Sequence, residues 1–224
     1  MFSCVSYGAR TWRSKAAAVG LALLLPVAAQ AETIEVLALG DSLTAGYGLP
    51  QGDGFVPQLQ TWLDESGVDA RVVNAGVSGD TTAGGLARVE WSLGADTDAM
   101  IVALGGNDLL RGLDPASSRQ NLDGILQVAE ARDLEVLLVG LRAPGNYGPE
   151  FQRSFNAMYP ELSDTYDTLF EPDFFAGLAG EGANPAQVRG YMQADGIHPT
   201  AEGVSRIVAE LGPRVAELVE RASD

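Results

Sequence analysis

Short apolar runs alternate with helix-spaced apolar positions along the chain from residue 33 onward. Buried strands are predicted at residues 33–39, 71–74, 99–104 and 135–141, with a weaker edge strand at 168–170. Between the strands, apolar side chains recur at the three- and four-residue intervals typical of amphipathic helices. The clearest helical faces are Phe55, Leu59, Trp62 and Leu63; Leu122, Ile125, Leu126 and Ala129; and Val204, Ile207, Val208, Leu211, Val215 and Leu218. This alternation predicts an α/β fold, a three-layer α/β/α sandwich with a central parallel sheet.

Three of the predicted strands run into polar, glycine-rich loops. These loops are Gly40-Asp41-Ser42-Leu43-Thr44, the NAGVSGD segment at 74–80, and Gly105-Gly106-Asn107-Asp108. Because ligands of open α/β sheets bind at the carboxyl ends of the strands, we expect the chemistry to lie where these loops meet. The segment 172–190 is rich in Gly, Pro and Ala, which predicts a long surface loop.

The first 31 residues differ in character from the rest. Arg10, Arg13 and Lys15 precede an apolar run at 16–29, and Ala29-Gln30-Ala31 forms a small-x-small site. This pattern predicts a cleaved signal peptide at 1–31, a single mature domain at 32–224 and a periplasmic or secreted location. The alternative, a membrane anchor, is disfavoured because the run falls short of the ~20 residues of a spanning helix.

Composition narrows the possible partners. The chain has 30 acidic and 14 basic residues and a net charge of −16. Removal of the predicted signal peptide would take away three basic residues, among them the sole lysine, together with the sole cysteine, Cys4. A surface this acidic repels nucleic acid, so no nucleic-acid partner is expected. Cysteine chemistry and cysteine metal sites are likewise not expected in the mature chain.

His198 is the only histidine, so a histidine-dependent mechanism near neutral pH must use it. It lies in the sequence Asp195-Gly196-Ile197-His198-Pro199, where a glycine turn can bring the Asp195 carboxylate beside the imidazole. A carboxylate on one ring nitrogen suits the other nitrogen to act as a base. The structural alternative is a capping aspartate followed by a surface histidine.

Ser42 follows the first predicted strand and lies where a helix should begin, so its hydroxyl could act as a nucleophile. The alternative is that Ser42 is the helix cap. A G-x-S-x-G elbow is absent, because Thr44 rather than a glycine stands at its last position. Gly79 and Asn107 could supply oxyanion donors, a backbone N–H and a side-chain amide, or they could be ordinary turn residues.

Four motifs occur in order: LALGDSLTAGYG, VVNAGVSGDTTAGGLAR, LGGNDLLRGL and DGIHP. With them the chain resembles the SGNH (GDSL) hydrolases, whose sheet is flavodoxin-like, and most closely the bacterial periplasmic arylesterase, acyl-CoA thioesterase and lysophospholipase group. The resemblance spans the chain from Ile34 to the final helix. It implies that Ser42 is the nucleophile, that Asp195 and His198 are the orienting acid and the base, and that Ser42, Gly79 and Asn107 form the oxyanion hole.

The resemblance also carries weaker implications. Gly76 is a rival for the glycine role, although the motif aligns Gly79. The segment RAPGNYG at 142–148 resembles the part of the family that lines the substrate pocket, which makes Asn146 and Tyr147 possible substrate contacts. Asp41 and Asp108 are expected to support the loops rather than to react.

The expected activity is hydrolysis of carboxylic esters and thioesters through an acyl-enzyme, without metal or cofactor. The resemblance favours aryl esters, short to medium acyl chains and lysophospholipids as substrates. We also expect a monomer without a stable membrane anchor. Two alternatives stay open: a carbohydrate O-deacetylase on the same fold, and a non-catalytic module that binds lipid or glycan.

Overall fold

Five parallel strands form one sheet in the order β2-β1-β3-β4-β5 in the computed structural model, which describes residues 1–4, 8, 33–178 and 188–224. The strands are β1 (Ile34–Gly40), β2 (Ala70–Gly76), β3 (Ala99–Ala103), β4 (Glu135–Val139) and β5 (Leu169–Glu171). All five predicted strands are confirmed. The order is that of flavodoxin-like sheets, in which the chain reverses its direction of growth between β1 and β3.

Helices cover both faces of this sheet. They are α1 (Ser42–Ala45), α2 (Phe55–Glu65), α3 (Thr82–Ser92), α4 (Gly106–Leu110), α5 (Pro115–Glu130), α6 (Pro149–Tyr166) and α7 (Ala201–Ser223). One layer consists of α2 packed against α7, and the other of α3, α5 and α6 side by side. The predicted three-layer architecture is therefore confirmed.

The core lies between the sheet and these two helical layers. All residues of β3 are buried, as expected for a strand covered on both faces. The predicted helical faces point inward, and Trp62 packs directly over Gly212 of α7, where no larger side chain would fit. In the described part of the chain, none of the helices is both long and apolar enough to cross a membrane.

The structure describes only parts of two segments for which the sequence made predictions, the surface loop at 172–190 and the signal peptide at 1–31. The predicted surface loop at 172–190 is wrong for its first part, because Phe174 and Leu178 are buried and the Phe174 ring lies 5.4 Å from that of Phe55. Residues 179–187 lie outside the described residues. So does most of the predicted signal peptide, at 5–7 and 9–31, which stays a prediction. Residues Thr33–Asp224 form one compact unit.

The central three strands end level with one another. Gly40 at the end of β1 pairs with Gly76 on one side and with Ala103 on the other. The loops that follow these strands therefore start at the same edge of the sheet, beside the reversal point between β1 and β3. Ligands of this architecture bind at that point.

Helix α1 packs directly on the end of β2. A Cβ atom at Gly76 would collide with the backbone nitrogen of Ala45 and would lie 2.8 Å from both Ala45 Cα and the Thr44 carbonyl carbon. Glycine is therefore required at position 76 for steric reasons, because the opposing atoms are backbone atoms that cannot rotate away. This contact fixes the height of α1 above the sheet.

Gly76→Ala should destabilise the protein by roughly 1–3 kcal/mol, since overpacking must displace backbone. Urea unfolding followed by circular dichroism measures the change. Gly52→Ala is the matched control, because a Cβ atom there meets nothing within 4 Å. Equal stability of the two variants would contradict the proposed contact.

Candidate active site

Ser42 is the first residue of α1, and Asp41 is the residue that caps the helix. The Asp41 Oδ1 atom accepts a hydrogen bond from the Leu43 backbone N–H at 3.0 Å. The alternative in which Ser42 serves as the cap is therefore wrong, because its neighbour takes that role. The Ser42 hydroxyl is left available for a contact elsewhere.

His198 and Asp195 are joined by a tight turn around Gly196, which has a φ of 68°. Asp195 Oδ1 accepts the backbone N–H groups of Ile197 and His198, at 2.9 and 3.1 Å. Its other oxygen, Oδ2, lies 2.7 Å from His198 Nδ1. One carboxylate thus holds both the turn and the imidazole ring, which is the arrangement that the D-x-x-H spacing predicts.

The imidazole also reaches Ser42, which lies 156 residues earlier in the chain. His198 Nε2 is 2.9 Å from Ser42 Oγ. Because an ionised carboxylate only accepts hydrogen bonds, Nδ1 must carry the proton on the Asp195 side. Nε2 is then an acceptor for the Ser42 hydroxyl, as a general base requires.

Asp195 remains ionised under ordinary conditions. The hydrogen bond from His198, supported by the backbone N–H groups of Ile197 and His198, lowers the pKa of Asp195 to about 2. Each of these donors favours the charged form of the carboxylate. A negative charge therefore faces Nδ1 of the imidazole.

Asn107 lies beside Ser42 because Asp41 links the two segments. Asn107 Nδ2 donates to Asp41 Oδ2 at 3.2 Å, while the other oxygen of Asp41 caps α1. Asp41 is almost fully buried, and desolvation is the main reason why its pKa is raised. A buried carboxylate thus orients both the helix that carries Ser42 and the amide of Asn107.

Gly79 lies in a turn that two arginines hold. Its φ is 87°, and its carbonyl accepts a hydrogen bond of 2.7 Å from Arg111, at the end of α4. Arg88 pairs with Asp80 at 2.7 Å and donates to the Gly40 carbonyl at 2.9 Å. The turn is therefore tied both to the helix that carries Asn107 and to the end of β1.

The two candidate glycines differ in the state of their backbone N–H groups. The Gly76 N–H already donates to Asn74 Oδ1 at 2.9 Å. In the described part of the chain, neither Gly79 nor Ser42 donates its N–H to a protein acceptor. Gly79 and Ser42 are therefore the residues with N–H groups available to a ligand.

Asp108 supports the loops, as expected. It is buried and accepts hydrogen bonds from the Thr82 backbone N–H at 2.8 Å, the Thr82 hydroxyl at 2.6 Å and the Ser118 hydroxyl at 2.9 Å. These bonds join α4 to the first turn of α3 and to α5. With its oxygens so occupied, the carboxylate is not available to a substrate.

A pocket of about 330 Å³ opens beside Ser42 and Asn107. This volume is within the range of small-molecule binding sites. Most of its walls are apolar side chains: Leu43, Leu109, Leu110, Leu141, Phe175, Val188, Met192 and Ile197. Arg142 and Asp173 add a polar region. The pocket therefore suits an apolar group attached to a polar reacting centre.

Asn146 and Tyr147 lie outside the walls of this pocket. Both belong to the short helical turn Gly145–Tyr147 and are exposed. Tyr147 borders a separate surface groove, although its hydroxyl donates to the carbonyl of Leu110, a pocket residue, at 3.3 Å. Their role as substrate contacts stays a prediction.

Sequence reasoning missed several residues around the site. The apolar pocket walls come from separate loops and share no spacing that a pattern search could detect. Arg88 offered a weak signal, because it is a charged residue at a position of α3 that turns out to be buried. Among the described residues, no group of three or more His, Cys, Asp or Glu side chains is placed to hold a metal ion.

Comparison with known proteins agrees with this geometry. Residues 38–206 match the model of the GDSL-like Lipase/Acylhydrolase family. The chain is 42% identical to Esterase TesA of Pseudomonas aeruginosa over 200 residues, which cover 89% of this chain and 96% of that protein. It is 37% identical to the Escherichia coli protein named Thioesterase 1/protease 1/lysophospholipase L1 over 205 residues, 91% of this chain and 92% of that protein.

Solved structures show the same relationship. The crystal structure of TesA superposes with a TM-score of 0.73 at 40% identity, covering 82% of this chain and 99% of that one. The structure of AlinE4, described as an SGNH-hydrolase family esterase, superposes with a TM-score of 0.67 at 44% identity, covering 84% and 97%. The chain belongs to the GDSL-like Lipase/Acylhydrolase family, and it is a serine ester hydrolase.

Proposed function

We propose that Ser42 is the nucleophile of this hydrolase, His198 its general base and Asp195 the group that orients the base. The observation that carries the proposal is the continuous chain of contacts from Asp195 Oδ2 through the imidazole to Ser42 Oγ, at 2.7 and 2.9 Å. These lengths fall in the range in which a proton can pass between nucleophile and base.

The first half of the reaction forms an acyl-enzyme. Ser42 Oγ attacks the carbonyl carbon while its proton moves to His198 Nε2. The carbonyl oxygen becomes an oxyanion, for which the N–H groups of Ser42 and Gly79 and the amide of Asn107 are the donors. When the tetrahedral intermediate collapses, the bond to the leaving alcohol or thiol breaks, and His198 returns the proton to it.

The second half releases the acid. A water molecule takes the place of the leaving group, and His198 accepts its proton as its oxygen attacks the acyl carbon. The second tetrahedral intermediate expels Ser42 Oγ, which recovers its proton from His198. The ionised Asp195 stabilises the imidazolium in both halves, because its negative charge stays beside Nδ1 throughout.

The preferred substrates are esters and thioesters with an apolar acyl or aryl group. The apolar walls of the Ser42 pocket favour such a group over a sugar, whose hydroxyls would lose hydrogen bonds there. This argues against the carbohydrate O-deacetylase alternative. The names of the relatives, which include an arylesterase of Vibrio mimicus and the E. coli lysophospholipase, extend the proposal to aryl esters and lysophospholipids.

We place the enzyme outside the cytoplasm, in the periplasm or beyond it. The support is the basic, apolar and small-residue pattern of residues 1–31. Acyl-CoA is a cytoplasmic compound, so this location argues against it as the natural thioester. Localisation of the full-length chain with and without residues 1–31 tests the proposal.

The purified protein should hydrolyse p-nitrophenyl esters of graded acyl length, and Ser42→Ala and His198→Ala should each abolish nearly all turnover. Ser66→Ala is the matched control and should keep full activity. Ser66 is an exposed serine between the end of α2 and the start of β2, whereas the site lies where the strands end. An inactive wild-type protein, or a Ser42→Ala variant that remains active, would refute the assignment. Faster release of acetate from acetylated sugars would favour the deacetylase.

Asn107→Ala should lower kcat by roughly 10²- to 10³-fold, because one oxyanion donor is lost. KM should change little, since the amide acts on charge that develops only in the transition state. Steady-state kinetics on one activated ester measures both constants. Full turnover by this variant would remove Asn107 from the mechanism.

Asp41→Asn should lower kcat by about 10-fold, because its amide oxygen can still cap α1 but its amide nitrogen cannot accept the hydrogen bond from Asn107 Nδ2. The free energy of unfolding, by contrast, should stay the same or rise. Burial raises the folded pKa of Asp41, so its ionised form is penalised at neutral pH, and the neutral variant escapes that penalty.

The two effects can be measured separately. Urea unfolding at pH 7 should show Asp41→Asn to be as stable as wild type or more so, and the advantage should shrink as the pH falls through the raised pKa of Asp41. A variant that loses stability at pH 7 and keeps its kcat would contradict this account.

A further inference from the structure

The ring of Tyr47 lies against the imidazole of His198. The two ring centroids are 4.6 Å apart, and the ring planes are inclined at 38°. Asp195 and Ser42 contact the imidazole at its edge, through Nδ1 and Nε2, whereas Tyr47 lies over its face. None of the motif roles assigned above involves this side chain.

The backbone of Tyr47 is fixed to both the nucleophile and the base. Its N–H donates to the Ser42 carbonyl at 3.1 Å, and its carbonyl accepts from Gln193 Nε2 at 2.9 Å. Gln193 in turn donates its backbone N–H to the His198 carbonyl at 2.7 Å and its side-chain amide to the Pro199 carbonyl at 2.9 Å. These hydrogen bonds, together with the contact between His198 Nε2 and Ser42 Oγ, form a closed ring through Ser42, Tyr47, Gln193 and His198.

Glycines flank Tyr47 on both sides and allow this path. Gly46 and Gly48 have φ values of 78° and 75°, in the left-handed region that favours glycine. A side chain at Gly48 would also collide with the carboxamide of Gln193. The Tyr47 hydroxyl has no hydrogen-bond partner in the described part of the chain, so the ring is placed by its backbone and by packing.

An aromatic face attracts a neighbouring cation through its quadrupole. In the proposed mechanism the imidazole is neutral at rest and positively charged in the transition state. A ring over its face therefore stabilises the transition state more than the ground state, which is the condition for an effect on kcat. The same ring restrains the imidazole from tilting away from Ser42 and Asp195.

We propose that Tyr47 is a positioning residue for catalysis: its ring, held by Gln193, orients the His198 imidazole and stabilises its protonated form. This inference rests on the proposed role of His198 as the base. The ring face carries the effect, and the hydroxyl is not required for it.

Tyr47→Leu and Tyr47→Phe separate the ring from the hydroxyl. Tyr47→Leu should lower kcat roughly 3- to 30-fold with KM within about twofold, whereas Tyr47→Phe should keep wild-type kcat. Trp91→Leu, at an exposed aromatic residue on α3, is the control for loss of a surface ring and should leave both constants unchanged. Gln193→Met, which removes the two side-chain donors, should also lower kcat.

Three kinetic results would overturn the inference: unchanged kcat in Tyr47→Leu, a loss that lies wholly in KM, or an equal loss in Tyr47→Phe. Any of these results is compatible with an active wild-type enzyme and an inactive Ser42→Ala variant, so it would refute the role of Tyr47 without refuting the proposed function. An inactive wild type would instead refute the proposed function itself.

NMR provides a test that does not depend on activity, and its wild-type measurement does not depend on the folding of any variant. Because the chain has one histidine, its imidazole proton signals are unambiguous. The Tyr47 ring current should shift these signals upfield in the wild-type protein, in Tyr47→Phe as well, and not in Tyr47→Leu. Wild-type signals at the positions of a free histidine would show that the ring does not lie over the base.

Discussion

The site depends on the level ending of β1, β2 and β3 at one edge of the parallel sheet. Gly40 pairs with Gly76 and Ala103, so the segments that carry Ser42, Gly79 and Asn107 all begin at one height. The backbone of α1 rests directly on Gly76, which sets the position of Ser42. His198, from a loop far along the chain, then needs only to reach this fixed edge.

Buried charge organises the loops at this edge. Asp41 joins the cap of α1 to Asn107, Asp108 joins α4 to α3 and α5, and the Arg88–Asp80 pair anchors the turn of Gly79. Burying a carboxylate is unfavourable unless its oxygens accept hydrogen bonds, and desolvation of Asp41 accordingly raises its pKa. Stability is thus exchanged for orientation, as is common at active sites.

The strands and the layers could be predicted from local signatures, an apolar run or a helical period, and the Asp195–His198 contact from the D-x-x-H spacing. The contact between Ser42 and His198, which lie 156 residues apart, was expected only from the resemblance that the four motifs carry together. Features that depend on tertiary packing could not be predicted. The burial of Phe174 requires Phe55 across the fold, and the contact of Tyr47 with His198 requires Gln193 to join two distant turns. The resemblance points to Asn146 and Tyr147, but both lie outside the walls of the Ser42 pocket, and Tyr147 borders a different groove.

The central claim is that His198 and Asp195 make the Ser42 hydroxyl a nucleophile. The most direct measurement is covalent labelling of the native protein with a fluorophosphonate, followed by mass spectrometry of its peptides. The account predicts one phosphonyl group per chain, on Ser42, and little labelling in His198→Ala. An adduct on another residue, or equal labelling of Ser42 in His198→Ala, would contradict it.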